Sequence, residues 1–366
     1  MKRIGIDARL YSQTGVGTYL RNLLYELSKL KTTGLSFVIY VSSSDIKQIR
    51  AEIPQFIIKE APFRWHTLSE QTMFLRHITK DSLDLMHFTY FGYPILYRGK
   101  FVATVHDLTP LLFKTGKAST KNSLLYEIKH FFFRWVLRSQ VERAQAIITP
   151  TLTVKKQLVE HYGFGIESKI FPFYEGVGYE LRNAKENTSL QQVFSKQFFL
   201  YVGNFYPHKN LVRFITAFAK KDIVSQLILV GPQDHFSTAI HKLILKLGAQ
   251  GKILLYHGAT VNDLVYFYKH AKALIHPSLS EGFGLPLIEA AYFKCPIIAS
   301  DISVMKELLD ENCIYFNPYH TEDIHEKILN ISSSHKPDYS KTLERCSFAR
   351  MTKDTLSLYK KVLRVE

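Results

Sequence analysis

Short β-rich apolar runs alternate with helix-length amphipathic stretches twice along this chain, and that alternation admits little besides parallel sheets covered by helices. The first series is RIGIDA (3–8), FVIYVS (37–42), DLMHF (84–88), FVATVHD (101–107) and AIITPT (146–151). After the polar stretch NAKENTS (183–189) a second begins: FFLYVGN (198–204), QLILVGP (226–232), KILLYHG (252–258), ALIHPS (273–278) and PIIAS (296–300). At 366 residues the chain also exceeds what one hydrophobic core usually fills. The expected fold is therefore α/β, with one sheet in residues 1–182 and another in 190–346. Ligands of open parallel sheets bind beyond the carboxyl ends of the strands, so a cleft between two such domains is the expected binding place. Polar residues gather just after predicted strands: Asp7 with the Gly15/Gly17 loop, His106 and Asp107, Asn204 with Lys209, and Glu281.

Composition removes several function classes. Apolar residues make up 46% of the chain, too much for a disordered protein, yet no run reaches the ~18 residues of a membrane span. The start, MKRIGIDARL, enters a strand and not a signal-peptide core, so a cytoplasmic location is expected. Cys295, Cys313 and Cys346 fit no metal or redox spacing and read as packed thiols. The formal charge of +15 calls for an anionic partner: nucleic acid, a membrane surface or a phosphorylated substrate. The basic residues follow no nucleic-acid-binding pattern, so nucleic acid is set aside.

The run HPSLSEGFGLPLIEAAYF (276–293) carries the most chemistry. Glu281 opens a Gly-Phe-Gly turn, Pro286 suits the first turn of a helix, and Glu289 lies about one turn inside it. A glycine turn feeding a helix N-terminus offers backbone N–H groups to an anion, so Gly282, Phe283, Gly284 and Leu285 could cradle a diphosphate. The two carboxylates would then read paired hydroxyls, one on a sugar and one on a ribose. The plainer reading, that Glu281 caps the helix and Glu289 is a solvated acid, remains open for this segment alone.

The order Ser280-Glu281-Gly282-Phe283-Gly284-Leu285-Pro286, with Glu289 eight residues after Glu281, resembles the EX7E motif of glycosyltransferase family 4. YVGNFYPHKNL (201–211) resembles that family's YVG-x-x-x-P-R-K-N-L segment, DARLYSQTGVGTYLRNLL its glycine loop, and HDL (106–108) its first-domain histidine. The likeness implies a GT-B fold: two Rossmann-like domains with parallel sheets facing across a deep cleft. It implies an acceptor-binding domain over 1–182, a donor-binding domain over 190–346, and a final helix, about 347–366, that crosses back to the first domain. Phe348 stands where the family commonly has tryptophan.

The resemblance assigns His106, Lys209 and Glu281 to catalysis. Lys209 would neutralise charge on the leaving diphosphate. It assigns Gly15, Gly17, Asp107, Asn204, Gly282, Phe283, Gly284, Leu285 and Glu289 to donor binding. Asn204 and His208 stand where relatives often carry arginine, so fewer cations face the phosphates. Gly15 and Gly17 do not make a dinucleotide fingerprint, since Leu20 takes the third glycine position; the loop reads as one that approaches sugar or acceptor closely, or as a turn. With no DxD or HExxH pattern and no clustered ligands, no metal or cofactor is expected.

The function so implied is retaining transfer of a hexose, mannose being the first candidate, from a GDP- or UDP-linked sugar to a glycan or polyprenyl-linked glycan in cell-surface polysaccharide synthesis. Retaining glycosidases use a close carboxylate pair, whereas this pair sits beside a phosphate cradle, so hydrolysis fits poorly. Two other readings stand: a catalytically inactive subunit of the same fold that partners an active transferase, and another nucleotide-sugar enzyme such as an epimerase. Two stretches, 61–80 and 127–144, mix basic residues with Trp and Phe. They could rest on an anionic membrane surface, or be core helices with Lys129, Arg134, Arg138 and Arg143 in solvent.

Overall fold

The computed structural model describes residues 1–113, 123–331 and 337–365, and the chain divides into two compact units, Met1–Glu175 with Ser347–Glu366, and Gly176–Cys346. The first unit is built on one sheet of seven parallel strands: β1 (Lys2–Asp7), β2 (Leu35–Val41), β3 (Ile57–Glu60), β4 (Leu85–Phe88), β5 (Phe101–Thr104), β6 (Ala146–Thr149) and β7 (Ile170–Pro172). Their order is β3-β2-β1-β4-β5-β6-β7. Helices cover both faces of such a sheet, so its inner strands can be apolar throughout. β4 and β5 are buried along their whole length, His87 included.

The second unit repeats the plan with β8 (Phe198–Val202), β9 (Gln226–Val230), β10 (Ile253–Tyr256), β11 (Leu274–His276), β12 (Ile297–Ser300) and β13 (Ile314–Phe316), all parallel, in the order β10-β9-β8-β11-β12-β13. The strand order reverses beside β1 in one sheet and beside β8 in the other, where Rossmann-type folds bind ligands at the carboxyl ends.

Three strands escape the periodicity, and all three are sheet edges: β3, β7 and β13. These three are short, of three or four residues; β3 (IIKE) turns charged in its second half, and β7 ends in proline. The first unit closes at Glu175, not at 182. The polar stretch 183–189 is docked on the second unit: Asn187 Nδ2 donates to Asp263 at 2.6 Å, and Glu186 pairs with Lys269 at 2.9 Å. Two of its polar residues, Glu186 and Asn187, thus bind the helix Val261–His270, while Asn183, Lys185, Thr188 and Ser189 are exposed.

The C-terminal helix Phe348–Leu363 belongs to the first unit and packs on the helix Val16–Ser28. Its buried residues Phe348, Met351, Thr355 and Tyr359 follow a spacing of three and four that keeps them on one face. Each large apolar side chain so covered contributes about 1.5–3 kcal/mol. Tyr359 also joins β4 directly, its hydroxyl lying 2.5 Å from His87 Nδ1, while His87 Nε2 meets Thr104 Oγ1 at 2.7 Å. The three cysteines are free and buried.

Candidate active site

In the second unit the chain leaves β8 through Gly203 and Asn204 and makes a tight turn, Pro207–Lys209, before the helix Leu211–Phe218. Asn210 adopts the left-handed conformation, φ 58°, and anchors the turn by donating to the Pro318 carbonyl at 2.8 Å. Leu279 N–H donates to the His208 carbonyl at 2.8 Å, which ties this turn to the segment after β11. The result brings Lys209 against Glu281.

Three donors converge on one oxygen of Glu281. Lys209 Nζ lies 2.5 Å from Oε1, Ser278 Oγ 2.7 Å and His276 Nε2 2.8 Å. All the bonds to this carboxylate among the described residues fall on Oε1, which leaves Oε2 able to accept from a ligand hydroxyl. Burial pushes the carboxyl up, but the Lys209 charge and the bonds from His276 and Lys209 outweigh it and hold Glu281 far below the usual carboxylate range. His208, beside Lys209, is pushed down to about 4, first by burial and then by the Lys209 charge.

The helix Leu285–Tyr292 starts at Gly284, whose φ of 91° calls for glycine. No side chain caps this helix, so its N-terminus offers backbone N–H groups and a positive dipole end to an anion. Phe283 turns into the core, 5% exposed, so it can serve a ligand only through its backbone. Glu289, half buried on the helix, accepts from the Tyr268 hydroxyl on Oε2 at 2.6 Å. Burial raises its pKa and the Tyr268 bond opposes the rise. Each motif carboxylate thus has one oxygen held by protein. Asn204 gives its backbone carbonyl to Tyr201 at 2.5 Å, and its buried Oδ1 has no partner among the described residues.

In the first unit β5 ends at Thr104, earlier than the run FVATVHD suggests, so His106 and Asp107 sit in the loop beyond it. His106 Nε2 faces the Thr89 carbonyl at 2.9 Å, and Nδ1 faces Glu175 at 3.4 Å. Its ring meets Tyr19 edge-on with centroids 4.8 Å apart. Asp107 accepts from Thr109 N–H at 2.7 Å and shapes the loop.

Asp7 is not open to a ligand: Arg9 bonds both its oxygens, at 2.8 and 2.7 Å, and reaches Glu70 at 2.7 Å while stacking over Phe74. This is a buried ion cluster that fastens the segment 63–74 to the end of β1. Gly17 also has a local reason to be glycine, because a Cβ there would lie 2.5 Å from the Tyr11 carbonyl. Gly15 adopts φ 68° and opens the helix Val16–Ser28.

Sequence reasoning did not find Glu175, Tyr268, Arg9 or the roles of His276 and Ser278. The last two lie inside the motif run, and any donor there within reach of Glu281 was a visible signal. Gly231 was also missed: a Cβ there would meet the Gly203 carbonyl at 2.3 Å, so the end of β9 approaches the end of β8 only with glycine at 231.

Known proteins share this architecture. Sucrose-phosphate synthase from Thermosynechococcus elongatus superposes with a TM-score of 0.78 over 100% of both chains at 16% identity. Anabaena HepE, solved with UDP and glucose, gives 0.76 over 99% of this chain and 100% of its own at 13% identity. At such identities the likeness concerns the fold: two parallel α/β domains of the GT-B class. In sequence, the family model for glycosyltransferase family 4 matches residues 13–179 and that for glycosyl transferases group 1 matches 185–347. The chain belongs to glycosyltransferase family 4. It is 30% identical over 228 residues to the O-antigen chain mannosyltransferase RfbU of Salmonella typhimurium, a stretch covering 62% of this chain and 60% of that protein.

Proposed function

We propose that this chain is a retaining hexosyltransferase that moves mannose from a GDP- or UDP-linked sugar to a glycan or polyprenyl-linked glycan acceptor, as part of cell-surface polysaccharide synthesis. The observation that carries the reading is the convergence of Lys209, His276 and Ser278 on Glu281 Oε1, next to a helix whose N-terminus no side chain caps. The name of the Salmonella relative supports mannose and an O-antigen type of acceptor.

In this reading the diphosphate rests on the backbone of Gly282–Leu285 and on Lys209, whose ammonium keeps N–H groups beyond the one given to Glu281. Glu281 Oε2 takes a sugar hydroxyl and Glu289 Oε1 a ribose hydroxyl. The bond from the anomeric carbon to phosphate breaks as the acceptor oxygen bonds to the same face of that carbon. The acceptor proton passes to a departing phosphate oxygen, so no enzymic nucleophile is needed. Lys209 stabilises the charge on the leaving group. His106 acts on the transferred sugar, and no metal takes part.

The test is nucleotide release from GDP-, UDP-, ADP- and dTDP-sugars in chelator, with and without a polyprenyl-linked glycan extract. Release from one donor that rises with the extract and is lost in Lys209→Ala and Glu281→Gln is the expected result. Absence of both release and nucleotide-induced thermal stabilisation overturns the donor site and favours a binding subunit.

A further inference from the structure

The helices that follow β9, β10 and β11 do not open alike. His235–Lys246 begins with Asp234 accepting from Ser237 N–H at 2.8 Å. Val261–His270 begins with Thr260 and Asp263 exchanging bonds at 2.9 and 3.2 Å. Each of these N-termini is closed by side chains and carries a carboxylate, so it repels a phosphate. Of the three, Leu285–Tyr292 after β11 alone is uncapped. The anionic part of a ligand laid along this edge of the sheet therefore belongs at β11, and a neutral part at β9 and β10. There Gly231 and His257 follow directly on the two strands. His257 is half-buried, its Nδ1 lies 2.9 Å from the Gly231 carbonyl, and its ring meets the buried Phe205 edge-on with centroids 6.3 Å apart. A carbonyl can only accept, so Nδ1 holds the proton, and in the neutral ring Nε2 is an acceptor. Nε2 has no partner among the described residues and is not sealed from solvent.

We infer that His257 reads the base of the donor nucleotide by accepting its ring N–H on Nε2, an inference that rests on the donor site proposed above. In the order β10-β9-β8-β11 the His257–Gly231 pair lies two strand spacings, about 10 Å, from the gap between β8 and β11. An extended nucleotide covers that distance from diphosphate to base. Guanine at its N1 position and uracil or thymine at N3 carry a proton beside a carbonyl. Adenine at N1 and cytosine at N3 present a lone pair instead, which would face the lone pair of Nε2. Turning the ring over to offer a proton breaks the bond to Gly231. The site thus selects guanine, uracil or thymine nucleotides and rejects those of adenine and cytosine.

The experiment is calorimetric titration of the full chain with GDP, UDP, dTDP, ADP and CDP, and with GDP methylated at guanine N1 and UDP and dTDP methylated at N3. At least one of GDP, UDP and dTDP should bind about tenfold more tightly than ADP and CDP, and methylation of its base should weaken it about tenfold. His257→Asn places an amide nitrogen close to the position of Nδ1, which keeps a donor for Gly231, and removes Nε2. It should keep a melting temperature near that of wild type, bind the preferred nucleotide about tenfold more weakly, and no longer distinguish it from its methylated form. The methylated nucleotides test the wild type too, so the outcome does not depend on the variant folding. A histidine that only braces the two turns predicts otherwise: unchanged affinity in His257→Asn, or a methylation penalty that is absent in wild type or equal in both proteins. Any of these overturns the inference and leaves the donor site standing, as does preference for ADP or CDP. If no nucleotide binds the wild type, the donor site falls and the inference with it.

Discussion

Lys209 Nζ and Glu281 Oε1, from segments 72 residues apart, meet at 2.5 Å with side chains only 14% and 10% exposed. Removing one partner of such a pair leaves a buried charge and costs about 3–5 kcal/mol in general; His276 and Ser278 also hold Glu281, so Lys209→Met should fall at the lower end. The loss depends on pH. Glu281 has a depressed folded pKa, so its stabilisation is complete above the ordinary carboxyl value of 4.5 and fades as pH falls below it. The melting-temperature gap between wild type and Lys209→Met should therefore be widest near neutrality and narrow below that value. A gap constant with pH would show that the pair is not what stabilises the turn.

Tyr268 holds the other motif carboxylate. Tyr268→Phe removes the bond that opposes the upward push of burial on Glu289, so the Glu289 pKa should rise further. If the carboxylate form reads a ribose hydroxyl, nucleotide affinity should then fall away on acidification at a higher pH than in wild type. Stability should drop by about 0.5–1.5 kcal/mol. Calorimetric titration with GDP and UDP across pH checks both, and unchanged profiles would remove Glu289 from the donor site.

What the sequence disclosed and what it hid divide along a physical line. Interior strands, and the edge strand β10, were legible because they carry unbroken apolar runs, and the 276–293 segment because one glycine turn, one helix start and two carboxylates fall within a single local stretch. The edge strands β3, β7 and β13 escaped this reading. Long-range pairing was equally invisible. Glu70 reaches the Asp7–Arg9 pair from 61 residues away, and Glu175 and Tyr268 reach their partners from segments 69 and 21 residues away. Spacing encodes what a helix or turn brings together; contacts made by folding at a distance leave no periodic trace.

His87 lies inside the first unit between Tyr359 and Thr104, and burial together with the nearby His106 pushes its pKa down to about 3. The unfolded chain binds a proton at this residue near pH 6.5 and the folded chain does not, so stability rises with pH from about 3 to 6.5 and is flat above. Against His87→Gln, the wild type should lose its relative stability on acidification through that window. Tyr359→Phe, which leaves His87 Nδ1 buried without its partner, should cost about 1–3 kcal/mol and loosen the C-terminal helix first. Hydrogen exchange of residues 348–363 reports this, and protection there equal to wild type would count against the tether.

Glu175 is 4% exposed and closes the first unit with its carboxylate on His106 Nδ1, opposite the Thr89 carbonyl on Nε2. With the Thr89 carbonyl 2.9 Å from Nε2, Glu175 3.4 Å from Nδ1 and Tyr19 against the ring, His106 is held on three sides. Glu175 is therefore a positioning residue: it does not reach substrate, but it fixes the ring that is proposed to. Glu175→Ala should free the ring and lower kcat on the order of 10-fold to 100-fold, with KM changed little. Glu175→Gln keeps an acceptor and the side-chain volume, so it should recover part of the turnover. Nitrogen-15 spectra of His106 should show the ring's tautomer and mobility changing in the alanine variant and less in the glutamine variant. A purely structural role predicts a different outcome, a melting-temperature loss shared by both variants with the turnover of the surviving folded protein unchanged.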